Sequence, residues 1–227
     1  MASKIKSAVK EFGYFNAFLY FLSNILGRVS GSIKVVKYYI YKQRVDSTSF
    51  PVKRRFGSID VLEVHENEEK HREAFPRPKA VLDARFKQSS RCFAAYRNEI
   101  FEGYIWFVKD DYFEDEIRCH YVLQPKDKVA WDFDVYIEPQ ARFGVAFSKL
   151  WHEVFNVLED EGVQWTLSRI SAFNMNSIRS HERLGARRIY TITAFCLGPM
   201  QIIFSDIRPY FSVSTKNFTT LIINIEP

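Results

Sequence analysis

The stretch that decides the fold is VAWDFDVYIEPQARFGVAFSKLWHEVFNVLEDEG, residues 129–162. Its first nine residues are mostly apolar or aromatic and predict a strand over 129–137. From Phe147 to Leu158 the apolar residues recur at helical spacing, and Gly162 is a typical helix stop. Residues 141–146 between them contain neither an N-capping side chain nor a carboxylate. The stretch therefore predicts a strand, a turn and a helix with a bare N-terminus.

The bare helix start predicts an anion site. Backbone N–H groups at a strand-to-helix turn, together with the helix dipole, bind phosphate and pyrophosphate. Arg142 adds positive charge, and Gly144 allows a ligand to approach the backbone closely. We therefore expect a phosphate-bearing ligand at this turn.

A second stretch, NMNSIRSHERLGA at 174–186, predicts another functional helix behind a strand at 163–170. Asn174 is a typical N-cap, and Gly185 is a typical stop. Asn174 and His181 are seven residues apart, which places them on one helix face within about 20°. We expect this face to line a pocket beside the first helix.

Together the two stretches resemble the GNAT superfamily of acyl-CoA N-acyltransferases, over residues 129–189. The family's first signature, [Q/R]-x-x-G-x-[G/A], appears at 141–146, with Ala141 replacing Gln or Arg. The second, N-x-x-[A/S]-x-x-x-Y-x-x-x-G-[F/A], begins at Asn174, and His181 replaces the usual Tyr. The resemblance implies an α/β fold with a mixed, mostly antiparallel sheet flanked by helices.

The resemblance also implies a reaction. Acetyl-CoA or another acyl-CoA would be the co-substrate, and a small-molecule or other amino-group acceptor would attack the thioester directly. His181 would protonate the departing thiolate, and Asp134, ahead of Asp132, would be the general base. The residues expected to bind the cofactor are Val135, Tyr136, Ile137, Arg142, Phe143, Gly144, Val145, Ala146, Phe147, Asn174 and Ser177. The alternative is a non-catalytic acyl-CoA-binding or membrane-surface protein on the same scaffold.

All three candidate catalytic residues also have structural interpretations. Asp132 and Asp134 are two residues apart, so strand alternation predicts that they share one face of an apolar strand. They would otherwise pair with an arginine of a neighbouring strand, such as Arg118 or Arg169. His181 would otherwise be a capping or packing residue.

The N-terminal region differs from the rest of the chain in charge. Residues 1–45 contain eight Lys or Arg and one acidic residue, whereas the remainder contains 24 basic and 26 acidic residues. An uncharged segment at 12–27 has helical apolar spacing but is shorter than the roughly 20 residues of a bilayer span. It predicts either a helix in a membrane interface or an arm that packs on the domain or forms a homodimer contact. We divide the chain into a basic amphipathic arm (1–48) and a GNAT-like domain (49–227).

The remaining patterns predict further strands. Residues 91–97 and 100–108 predict a hairpin that turns at Asn98 and Glu99, and 116–123 and 129–137 continue an antiparallel meander. Strands are also expected at 58–64, 187–197 and 200–207, and a helix near 175–184. Residues 65–86 predict one or two helices, broken by Pro76 and Pro78.

The chemistry-bearing residues outside these motifs are dispersed. Cys92, Cys119 and Cys196 match no metal or redox spacing and predict buried, reduced thiols in a cytoplasmic protein. The five histidines form no metal-binding pattern, and the sequence contains no recognised nucleic-acid motif. We therefore expect no metal and no nucleic acid, and a cytoplasmic location with membrane association as the open alternative.

Overall fold

The computed structural model describes residues 2–29, 32–49, 59–109, 111–114, 116–142 and 144–224. These residues form two compact units. Unit 1 comprises residues of 1–43, 111–124 and 168–227, and unit 2 comprises residues of 44–110 and 125–167.

The described chain contains both helices and strands. The helices are α1 (Ala2–Phe12), α2 (Tyr14–Val29), α3 (Glu69–Glu73), α4 (Lys79–Lys87), α5 (Ala146–Asp160) and α6 (Met175–Arg183). The strands are β1 (Ile33–Arg44), β2 (Ile59–Val64), β3 (Arg91–Arg97), β4 (Ile100–Val108), β5 (Tyr112–Phe113), β6 (Cys119–Gln124), β7 (Val129–Ile137), β8 (Trp165–Ser171), β9 (Arg187–Leu197), β10 (Met200–Ser205), β11 (Phe211–Ser214) and β12 (Thr219–Asn224).

Each unit is built on antiparallel strands. In unit 2 the strand order is β7-β4-β3-β2, and all three pairings are antiparallel. In unit 1 the order β11-β10-β9-β1 is also antiparallel, while β12 runs parallel to β6 in a sheet of order β12-β6-β5. The expected α/β fold with a mixed, mostly antiparallel sheet and flanking helices is confirmed.

The hairpin of β3 and β4 and the helix α5 have the predicted bounds or nearly so. Asn98 and Glu99 have φ values of 49° and 65°, and a two-residue type I′ turn requires positive φ at both of these positions. Helix α5 ends before Gly162, whose φ is 75°, and its buried face includes Leu150 and Trp151. This helix packs on β2, β3, β4 and β7. The body of α5 is therefore a core element of unit 2.

The predicted meander is wrong at β6. This strand pairs with β5 and β12, and β7 pairs directly with β4. Apolar alternation predicts that a segment is a strand, but it carries no information about the partner strand.

The strand β1 was not predicted, because its lysines and aromatic residues were interpreted as part of the basic arm. It pairs with β9 from Ile33, opposite Leu197, to Lys42, opposite Arg187. The helical part of the arm therefore ends at Val29, and the division at residue 48 stays a prediction.

The helical segment expected to begin at Phe12 forms the second of two consecutive helices. Gly13, with a φ of 78°, separates α1 from α2. The Asn16 amide donates to the Tyr39 hydroxyl at 2.8 Å, and its oxygen accepts from Lys37 Nζ at 2.8 Å. The ring of Tyr20 lies 5.6 Å from that of Phe173. One side of α2 is thus held on unit 1 by polar and aromatic contacts.

Gly103→Ala is expected to lower the free energy of unfolding by about 1–3 kcal/mol, because overpacking a dense region forces the backbone to shift. A methyl group at Gly103 would overlap the carbonyl oxygen of Tyr136 and lie 3.1 Å from Ile137 Cα, across the β4–β7 pairing. Urea unfolding measures the change. Gly27→Ala, where a Cβ meets nothing within 4 Å, is the control. A Gly103→Ala protein as stable as the wild type would contradict the expectation.

Candidate functional site

The N-terminus of α5 is reached through a tight turn at the end of β7. Residues 134–137 of β7 are half-buried, whereas 129–133 are buried. A 3₁₀ turn follows at Pro139–Ala141, and the Gly144 N–H donates to the Ala141 carbonyl at 2.9 Å. A Cβ at Gly144 would lie 3.1 Å from that same carbonyl oxygen, so the turn suits a residue without a side chain.

The structure confirms that α5 begins without a side-chain cap. Its N-cap residue, Val145, makes no capping hydrogen bond, and the first turn contains no acidic residue. The Lys149 N–H donates to the carbonyl of Val145, the N-cap residue, at 2.9 Å. The N–H groups that come before Lys149 in the first turn of α5 therefore precede the helical hydrogen-bond pattern. Together with the dipole, these groups favour an anion.

Arg142 contributes a side chain to this turn. It is exposed, and its Nε donates to the Ile137 carbonyl at 3.1 Å, which ties the guanidinium to the end of β7. The terminal nitrogens of an arginine held in this way suit a phosphate oxygen. Among the other predicted cofactor residues, Val135, Tyr136 and Ile137 are half-buried, and Phe143 lies outside the described residues.

The two candidate aspartates do not share a strand face. Trp106 of β4 pairs with Asp134, and the next residue, Phe107, pairs with Asp132. Phe133 is therefore the extra residue of a β-bulge. Because Trp106 and Phe107 point to opposite faces, the bulge places Asp132 and Asp134 on opposite faces as well. The prediction of a shared face assumes that side chains alternate without interruption, and the bulge interrupts this alternation.

Asp134 is surrounded by donors. Arg77 Nη2 lies 2.9 Å from Oδ1, and Arg77 Nε lies 3.0 Å from Oδ2. Oδ2 also accepts from Arg85 Nη1 at 2.8 Å and from the Tyr104 hydroxyl at 2.9 Å. A substrate proton would have to compete with these donors for the carboxylate oxygens. The role of general base stays a prediction for both Asp134 and Asp132.

The arginine partners of Asp134 are not the ones expected from the sequence. Arg77 precedes α4 and Arg85 lies within it, 57 and 49 residues from Asp134, whereas neighbouring strands were expected to supply the partner. Arg169 instead pairs with Glu114 and Glu116, and Arg118 donates to backbone carbonyls. The Pro-Arg-Pro sequence around Arg77 was the available signal, because it predicts a fixed turn that can hold a long side chain in place.

In unit 1, the second motif forms the predicted capped helix. The Asn174 Oδ1 accepts from the Ser177 N–H at 3.1 Å, and Gly185 follows the helix with a φ of 88°. This hydrogen bond leaves the exposed Asn174 amide NH₂ as a donor for a ligand. Ile178 packs with Tyr39 and other residues of the unit 1 core. The cap and the stop of α6 are confirmed.

His181 is buried in unit 1, with 2% of its surface exposed. Its Nδ1 lies 2.8 Å from the Ser177 carbonyl oxygen, which can only accept, so Nδ1 carries the proton. In the neutral ring, Nε2 is then the accepting nitrogen. Burial lowers the pKa of His181 below the usual 6.5. A neutral His181 must therefore gain a proton before it can protonate a thiolate.

The His181 pKa predicts a pH dependence of stability. The unfolded chain takes up a proton near pH 6.5 while the folded chain does not, so stability falls as the pH drops from about 6.5 to the lowered folded-state pKa. Between about pH 7.5 and 5.5 this loss amounts to at most about 1.4 kcal/mol. His181→Asn should lose less thermal stability over this range than the wild type. His65→Asn, at an exposed position, should keep the wild-type dependence; equal slopes for all three proteins would contradict the prediction.

The fold is similar to that of solved structures. A functionally unknown conserved protein from Staphylococcus epidermidis ATCC 12228 matches with a TM-score of 0.54 and 11% identity, over 77% of this chain and 67% of its own. A candidate acetyltransferase from the GNAT family of Novosphingobium aromaticivorans DSM 12444 matches with a TM-score of 0.50 and 16% identity. This second alignment covers 73% of the present chain and 66% of that protein.

No protein-family model and no curated protein matches the sequence. The structural likeness, at this low identity, shows the fold alone. The two sequence motifs predicted a GNAT fold, and the structure confirms this fold.

Proposed function

We propose that this protein is an acyl-CoA-dependent N-acyltransferase that moves an acetyl or longer acyl group to an amine. The observation that carries the proposal is the acid-free, uncapped N-terminus of α5, directly after the half-buried end of β7. The GNAT fold supports acyl transfer as the class of reaction, and a fold alone does not establish an activity.

The donor groups of the turn fit the pyrophosphate of CoA. The first turn of α5 offers backbone N–H groups and the positive end of the dipole, and Arg142 is anchored beside it. The backbone of Val135, Tyr136 and Ile137 is assigned to the pantetheine arm, by analogy with a strand pairing. The half-buried state of these residues supports the assignment.

Catalysis in this proposal rests on positioning and proton handling. An acyl-CoA supplies an activated carbonyl, and the acceptor amine attacks it directly, so no serine or cysteine nucleophile is needed. As in the resemblance, His181, Asp134 and Asp132 are assigned to proton transfer, and Asn174 and Ser177 to CoA binding. Because Nδ1 of His181 donates to the Ser177 carbonyl, Nε2 is the atom that would take and release the proton.

A second candidate function is acyl-CoA binding without catalysis. The donors around Asp134 favour this second function. A proton from the acceptor amine would have to compete with two arginines and a tyrosine for the Asp134 carboxylate. Thiol release from acetyl-CoA separates the two functions. An enzyme releases CoA thiol in the presence of its amine acceptor and slows down when His181 is replaced by Ala. A binding protein retains acetyl-CoA and releases no thiol.

A pair of variants at Val145 tests the pyrophosphate site. Val145→Asp should weaken acetyl-CoA binding at least about 10-fold relative to Val145→Asn, because a carboxylate would occupy the anion position at the start of α5. The same carboxylate should raise the free energy of unfolding of the ligand-free protein by about 0.3–1 kcal/mol, since it complements the helix dipole. Titration calorimetry and urea unfolding measure these two effects. Equal affinities of the two variants would contradict the proposed site.

A further inference from the structure

The outer side of α2 carries a strip of exposed apolar side chains. Tyr14, Phe18 and Ile25 have 84%, 60% and 59% of their surface exposed. Their helical positions fall within an arc of about 40°, so they form one continuous strip along the helix. Apolar side chains that are aligned in this way, and not scattered singly, indicate an interaction surface.

The inner side of α2 is already occupied within unit 1. Ala17 and Leu19 are buried, each with 2% exposed, and Asn16 is bonded to Lys37 and Tyr39. The helix is therefore apolar on both sides, although only one side meets the protein. Packing within unit 1 accounts for the apolar residues on the inner side of α2. It does not account for the exposed apolar residues of the strip.

The charges on α1 and α2 indicate what covers the strip. Lys6 and Lys10 of α1 and Arg28 near the end of α2 are exposed. Among the described side chains of the two helices, one is acidic, the exposed Glu11. The sequence adds Lys4. A surface with apolar and aromatic side chains flanked by lysines and arginines complements a layer of anionic lipid headgroups over an apolar interior.

Two other arrangements fit less well. A symmetric dimer through the strip would place each basic pair of helices against its copy and bring like charges together. A span of the bilayer does not fit either, since within the described residues no helix is long and apolar enough to cross one. At 16 residues, α2 extends about 24 Å, less than the roughly 30 Å of a hydrocarbon core.

We propose that the helices α1 and α2 dock the protein on an anionic lipid surface, with Tyr14, Phe18 and Ile25 inserted at the headgroup level. The lysines of α1 and Arg28 remain in the headgroup layer. Docking of this kind is independent of acyl-CoA binding and would bring unit 1 to the membrane surface.

Vesicle flotation of the full chain tests the proposal. The wild type should float with vesicles of phosphatidylcholine containing about 30% phosphatidylglycerol, bind much less to phosphatidylcholine alone, and dissociate at high salt. Phe18→Ser with Ile25→Ser should reduce the floated fraction at least about 5-fold, and Lys6→Gln with Lys10→Gln should also reduce it.

Matched variants control for surface change alone. Ile100→Ser removes an apolar side chain that is 67% exposed in unit 2, and Lys126→Gln with Lys216→Gln removes two exposed charges. Both control proteins should float like the wild type, and circular dichroism should show every variant folded. Absence of flotation, or flotation unchanged by the Phe18 and Ile25 substitutions, would overturn the proposal. So would a lipid-free dimer that these substitutions dissociate, because the strip would then serve self-association.

Discussion

Arg169→Met is expected to lower the free energy of unfolding by about 3–5 kcal/mol, which is the cost of removing one partner from a buried ion pair. Arg169 Nε lies 3.0 Å from Glu114 Oε2, and the Glu114 side chain is 0% exposed. The guanidinium also pairs with Glu116 at 3.1 Å and lies 4.4 Å from the centre of the Tyr38 ring. Without Arg169, a buried carboxylate is left beside the apolar core of unit 1.

The pKa directions at this cluster agree with that expectation. The glutamates raise the pKa of Arg169 despite the opposing effect of burial, and burial raises the pKa of Tyr38. Arg169 is thus charged throughout the accessible pH range. Urea unfolding measures the loss, and Arg187→Met, at an exposed position of β9, should change stability by less than about 0.5 kcal/mol. A small effect of Arg169→Met would show that Glu114 finds another partner.

Asp134→Asn is expected to destabilise unit 2 by about 3–5 kcal/mol, because Arg85 is buried and would lose its carboxylate. The side chains of Arg85 and Asp134 are 8% and 12% exposed. The arginines connect Asp134 with α4 and with the turn before it. Urea unfolding measures the effect, and Asp60→Asn, at an exposed position of β2, is the control.

A double variant distinguishes an anchoring role from a catalytic one. If Asp134 holds the arginines, Asp134→Asn combined with Arg85→Met should be more stable than Asp134→Asn alone, because the uncompensated charge is gone. If Asp134 is only a general base, Asp134→Asn should retain wild-type stability and lose acyl transfer. Wild-type stability of Asp134→Asn would therefore contradict the anchoring role.

Local signals in the sequence determined much of the fold. The positive φ values at Asn98 and Glu99 fit a tight hairpin, and Gly162 and Gly185 end α5 and α6 where expected. The three cysteines are buried and unpaired by disulfides, as predicted. In each case the conformational or burial preference of a few neighbouring residues is enough to predict the feature.

Features that depend on distant partners were not predictable in this way. The pairing of β1 with β9 joins residues 33–42 to 187–197, and no local pattern specifies that partner. The bulge at Phe133 has neither Gly nor Pro to mark it, yet it separates the faces of Asp132 and Asp134. The arginines around Asp134 and the burial of His181 likewise follow from tertiary packing.

The candidate site was predictable in part. The missing cap of α5 and the Asn174 cap of α6 follow from residue types that the sequence displays, and the structure has both. The anchoring of Arg142 to the Ile137 carbonyl depends on the path of the turn, which the sequence did not specify. The catalytic assignments stay predictions, because they concern a ligand and an acceptor.

Titration calorimetry of the full chain with CoA and, separately, with pantetheine measures directly whether the protein binds the pyrophosphate of CoA. Pantetheine lacks the pyrophosphate that is assigned to the N-terminus of α5 and Arg142. CoA should bind saturably and at least about 10-fold more tightly than pantetheine, and Val145→Asp should abolish this preference. Absence of CoA binding, or equal affinity for CoA and pantetheine, would contradict the proposed pyrophosphate site.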